Sequence, residues 1–148
     1  MLAVIQPETK GWATLSSTIE ELKNIQGVVP PPNSLVSYGL KDAPAKVDTV
    51  LREIPSANIV HFACHGKQDT KDPLKSALVL EDGLLQVPQI MELSLTKGSL
   101  VFLSACQTAT GDQDLPDEIL HLAATMLFSG FRGAVGTMWC VSFFSCMT

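Results

Sequence analysis

The sequence predicts one α/β domain built on a mostly parallel sheet, with helices on both faces. Three observations carry that reading. Short apolar runs recur without the polar alternation of a half-wet strand, amphipathic helical stretches alternate with them, and turn-forming residues mark the junctions. A length of 148 residues fits one such domain.

Leu2 to Gln6 reads as a strand that Pro7 and Gly11 end. In "SSTIEELKNIQG" the apolar positions Ile19, Leu22 and Ile25 recur at helical intervals, Thr18 and Glu21 have capping-box spacing, and Gly27 is placed to stop the helix. "VVPPPN" is a stiff connector into a second short strand, "SLVSYG". A helix follows in "APAKVDTVLREIP", with Val47, Val50, Leu51 and Ile54 on one face, and "NIVHFAC" is the third strand. The polar stretch Gly66 to Ser76 predicts an exposed loop. "ALVLEDG" is a strand with a turn at Asp82-Gly83, "LLQVPQIMEL" a strand leading into a short helix, and "GSLVFLSAC" the most apolar strand of all. "PDEILHLAATMLFSG" is an amphipathic helix, with Pro116 in its first turn, Asp117 and Glu118 complementing its dipole and Gly130 as its stop. "RGAVGTMW" closes the series as a strand, and no internal repeat is present.

Composition narrows the function classes. A net charge of −5 with scattered Lys and Arg argues against nucleic acid or an anionic membrane as partner. The first apolar run ends at Gln6, too soon for a signal peptide or a membrane span, so a cytoplasmic protein is expected. Without a secretory context, Cys64, Cys106, Cys140 and Cys146 read as free thiols. His61, Cys64 and His65 are close in sequence, but no second ligand pair completes a zinc site, so no metal is expected. No glycine-rich phosphate loop follows the first strand, which sets a nucleotide binder aside.

In open parallel sheets the functional crevice lies beyond the carboxyl ends of the strands. His65 follows the third strand and Cys106 ends the most apolar one, so both belong to that rim. A cysteine acts as a nucleophile only as thiolate, and a neighbouring imidazole supplies the base that makes it one. Gly66 carries an unobstructed N–H that, with the N–H of Cys106, would form an oxyanion hole. The plain structural alternatives are a small buried thiol and a packed histidine. Alternation along the third strand puts Ile59, His61, Ala63 and His65 on one side and Val60, Phe62 and Cys64 on the other, so Cys64 belongs to the core. His61 reads as a hydrogen-bonded interior residue, and His121, Met138 and Trp139 as structural. The acidic run "GDQDLPDE" is either a helix lead-in or a surface that attracts a basic side chain of a peptide through Asp112, Asp114, Asp117 and Glu118.

The blocks "HFACHG" and "LSACQTATGDQDLPDE", in this order and spacing, resemble the CHAT domain family, caspase-like peptidase domains allied to separases and often joined to tetratricopeptide repeats. "MLAVIQPET", "SALVLEDGLL" and "HLAATMLFSGFRGAVGTMW" are similar to flanking CHAT segments, so the resemblance spans residues 1–139. It implies a caspase-like three-layer sandwich and cysteine endopeptidase chemistry, with His65 as general base and acid, Cys106 as nucleophile and no cofactor or third catalytic residue. It further implies a protein or peptide substrate, cleavage after Arg or Lys, and a tetratricopeptide-repeat or signalling partner. CHAT domains typically continue past the Trp139 position with an acid-containing segment, a helix and a final strand region. Residues 140–148, "CVSFFSCMT", diverge from that pattern. A sandwich incomplete at the C-terminus is therefore expected, with marginal stability, and with a catalytically inactive interaction or regulatory fragment as the competing function.

Overall fold

The computed structural model describes residues 1–29, 34–67, 69, 71–104 and 118–136. Its main sheet has five strands, β1 (Leu2–Ile5), β2 (Val36–Tyr38), β3 (Ile59–Ala63), β7 (Leu100–Leu103) and β8 (Gly133–Gly136), in the order β2-β1-β3-β7-β8. All four pairings are parallel, and Ala3, His61 and Phe102 lie side by side across the three inner strands. A second, antiparallel sheet joins β4 (His65–Lys67), β5 (Ala77–Val79) and β6 (Leu84–Gln86). The helices are α1 (Ser17–Val28), α2 (Val47–Glu53), α3 (Val87–Met91) and α4 (Glu118–Phe128).

Burial on both faces explains the continuous apolar strands. One face packs Ala3, Ile5 and Ala63 against Leu22 of α1. The other packs Leu2, Val4, Val60, Phe62, Val101 and Leu103 against α2 and α4, with Val50, Ile54, Leu122 and Met126 in the same core. Leu78 and Leu85 of the small sheet join that core, so the domain has a helix layer on each side of the main sheet and the hairpin sheet docked at one end. The three-layer α/β architecture expected from the sequence is present. Among the described residues no helix is long and apolar enough to cross a membrane.

Two glycines fix the chain path. Gly39, with φ +108°, lets the end of β2 pass so close to β1 that a Cβ there would lie 1.7 Å from the Ile5 carbonyl oxygen. Gly130, also at φ +108°, ends α4 against the Leu95 carbonyl, as its position in the sequence predicts.

Three local expectations are corrected. The α1 helix runs through Gly27 to Val28, since Gly27 keeps φ negative and meets nothing that would turn the chain. Thr18 and Glu21 form no capping box: Thr18 is inside the helix, its hydroxyl donates to the Leu15 carbonyl, and the Glu21 carboxylate is used elsewhere. The reciprocal box occurs instead at α3, between Gln86 and Gln89. Finally, Gly66 to Ser76 is not simply an exposed loop. Gly66 and Ser76 are buried, β4 takes up its start, and a short 3-10 turn at Pro73–Lys75 leads into β5. Its middle is organised by Asp69, whose carboxylate accepts the amides of Asp72 and Lys71, bonds that hold its carboxyl below the usual range.

Candidate active site

The strand order creates the site. The chain leaves β1 toward β2 on one side, then returns to place β3, β7 and β8 on the other. The connections beyond the carboxyl ends of β1 and β3 therefore diverge, and a crevice opens at that switch point. The segment after β1 folds back on itself: Leu15 N–H donates to the Pro7 carbonyl at 2.8 Å and Trp12 N–H to Thr9 at 3.0 Å, with Gly11 at φ +84°. That turn delivers Trp12 and Ala13 to His65.

His65 is 1% exposed. The main-sheet strand ends at Ala63, Cys64 makes a bend, and His65 begins β4, so strand alternation does not set its direction as expected. Its Nε2 lies 2.6 Å from the Ala13 carbonyl oxygen, and the Trp12 ring stands 4.9 Å from the imidazole, centroid to centroid. A carbonyl oxygen only accepts, so Nε2 carries the hydrogen and in the neutral ring the lone pair resides on Nδ1. Nδ1 is buried and makes no hydrogen bond among the described residues. The backbone carbonyl thus fixes the orientation and tautomer of the ring.

Gly66 follows from ladder geometry. Leu80 N–H donates to Gly83 O and Val87 N–H to Ser76 O, so even-numbered residues of the β5 strand turn their backbone toward β6. Ala77 and Val79 then face β4, pairing with Lys67 and His65. The intervening Gly66 directs its N–H and C=O away from β5, off the free edge of the small sheet.

Cys64 lies next to His65 in sequence but in the core, fully buried, as alternation predicts. Burial pushes its thiol up to about 12, partly offset by a hydrogen bond from the Val79 backbone, so it is not a thiolate at neutral pH. His61 is also interior and hydrogen-bonded as expected: its Nε2 lies 2.8 Å from Glu21 Oε2. The other carboxylate oxygen of Glu21 accepts the Ser104 hydroxyl at 3.0 Å. His61, Cys64 and His65 are thus committed to three different directions, and no group of metal-ligating side chains occurs among the described residues.

Cys106, Asp112, Asp114 and Asp117 lie outside the described residues, as do Met138 and Trp139. Glu118 is the first residue of α4 and His121 lies within it. What is placed is the approach to Cys106. Ser104, two positions earlier, donates its N–H to Phe62 O at 2.8 Å, so the β7 backbone stays bonded to β3, the strand that leads to His65, one residue past Leu103. A cleft of about 760 Å3 borders the site, with Trp12, Glu8 and Lys10 on one wall and Leu40, Lys41 and Glu81 on the other. The sequence reading missed Trp12, Ala13, Glu21 and Ser104. An aromatic residue in the polar turn after β1 was a usable signal for Trp12, whereas Ala13 acts through a backbone atom that leaves no mark in the sequence.

The family model of the CHAT domain matches residues 2–143. The chain belongs to the CHAT domain family. The match takes in nearly all of the chain, including both strand-end motifs, and puts this CHAT domain in a family of caspase-like cysteine-peptidase type. A comparison with curated proteins finds no match.

Proposed function

We propose that this CHAT domain is a cysteine endopeptidase in which His65 and Cys106 form the catalytic dyad. The observation that carries the reading is the His65 imidazole, whose Nε2–H is committed to Ala13 O while Nδ1 has no hydrogen-bond partner among the described residues. Nδ1 takes the Cys106 thiol proton and the thiolate attacks the scissile carbonyl carbon. The Gly66 and Cys106 N–H groups receive the oxyanion of the tetrahedral intermediate. The imidazolium returns its proton to the leaving amine as the carbon–nitrogen bond breaks, leaving a thioester. Water, deprotonated by the same imidazole, then releases the acid and restores the thiol. The Trp12 ring shields one face of the imidazole through these steps. The substrate is a protein cut after Arg or Lys, with Asp112, Asp114, Asp117 and Glu118 supplying negative charge nearby, and a tetratricopeptide-repeat or signalling protein is the partner that triggers cleavage.

The test is the rate at which iodoacetamide alkylates Cys106 near pH 6, followed by peptide mass spectrometry in wild type and His65→Ala. An assembled dyad makes Cys106 the fastest of the four thiols and loses that advantage, by roughly tenfold or more, without His65. Equal rates at all thiols and no response to His65→Ala would reject it and favour a CHAT domain that acts as an interaction or regulatory module.

A further inference from the structure

We propose that Glu21 is a positioning residue for the dyad, linking α1 to the two strands that lead to it; this rests on the reading of His65 and Cys106 as catalytic. Glu21 lies on the sheet-facing side of α1, near buried Thr18 and Leu22, with its side chain only 25% exposed. A carboxylate in such a place costs stability unless its oxygens are bonded, and here both are. Oε1 accepts from the Ser104 hydroxyl and Oε2 from His61 Nε2. His61, on β3, precedes His65 by four positions, and Ser104, just past the end of β7, precedes Cys106 by two. One carboxylate therefore ties the helix to the middle of β3 and to the residue just past the end of β7. The sheet does not need it for pairing, because β3 and β7 already share four registered residue pairs. What the bonds add is a side-chain link from α1 to His61, within those pairs, and to Ser104, one residue beyond the last of them. Displacing Ser104 would move the exit of β7 relative to β3, and so the nucleophile relative to the base, an error to which catalysis is far more sensitive than folding.

The experiment compares the full chain with Ser104→Ala, Ser104→Thr and Glu21→Gln. Each is assayed for kcat and KM on two peptides, one with Arg and one with an uncharged residue before the cut, for Cys106 alkylation, and for thermal melting. Ser104→Ala and Glu21→Gln are expected to lower kcat and Cys106 alkylation by about tenfold, with KM changed less than about twofold on either peptide. Ser104→Thr, which keeps the hydroxyl, restores both rates. Wild-type kcat and alkylation in Ser104→Ala would overturn the proposal. So would a rise of KM confined to the Arg peptide in Glu21→Gln, because Glu21 would then read substrate charge. If Ser104→Ala melts too low to assay, Glu21→Gln and Ser104→Thr decide by the same criteria. Slowed Cys106 alkylation in His65→Ala beside a normal Ser104→Ala rejects the positioning role alone. No effect of His65→Ala removes the dyad, and the positioning role with it.

Discussion

Cys64 and His65 are covalent neighbours with opposite surroundings, and the bend between them accounts for the difference. The Cys64 thiol, held up to about 12 by burial, stays protonated in the folded chain long after an exposed thiol has ionised. Its contribution to stability is complete below about pH 9 and is lost progressively as pH rises toward 12, because only the unfolded chain releases the proton in that window. Urea titrations across that range should show stability falling with pH in wild type and a shallower fall in Cys64→Ala. Native alkylation of Cys64 should be limited by unfolding and accelerate sharply in denaturant. Gly39 is the other residue whose surroundings leave one option. Replacement by Ala puts a Cβ into the Ile5 carbonyl at positive φ, and a loss of about 2–4 kcal/mol in chemical denaturation is expected.

Elements are joined here by side chains that belong to other elements. The first N–H of α2 is accepted by Asp82 Oδ1 at 2.9 Å from the β5–β6 turn, and Glu81 N–H bonds to Ala45 O, so the hairpin sheet caps a helix of the main domain. Asp82→Ala should cost about 0.5–2 kcal/mol by urea titration, the range for losing a helix cap, and should loosen the hairpin and α2 together in hydrogen exchange. Local pattern predicted every one of the described α-helices and strands except the short β4, whose sequence, His65 to Lys67, has no apolar run to signal it. It misassigned bonds that reach across the fold. Thr18 and Glu21 have the spacing of a capping box, but Glu21 finds partners on β3 and beyond β7 that no window of neighbouring residues contains. The same limit governs the site. His65 and Gly66 could be located because they follow an apolar strand, whereas Ala13 enters through a carbonyl 52 positions away.

At the scale of the whole molecule, the strand order brings the connections after β1 and β3 together at one switch point. On the proposed His65–Cys106 mechanism, activity should therefore respond to the turn after β1 as well as to those two residues. Trp12→Ala opens one face of the buried imidazole to water and is expected to lower kcat by about tenfold, with a smaller change in melting temperature. Peptide hydrolysis beside a thermal melt checks this. The all-parallel sheet also has a kinetic consequence. β1 lies between β2 and β3, yet its partner Val60 follows roughly 60 residues later, which at 5–20 residues per second is about 3–12 s of synthesis. Throughout that interval Leu2 to Ile5 is a nascent apolar segment with no β3 to pair with, and loop closure must precede any stabilising contact with it. Refolding on the millisecond-to-second scale follows, and deleting β3 should leave Leu2 to Ile5 unprotected in hydrogen exchange.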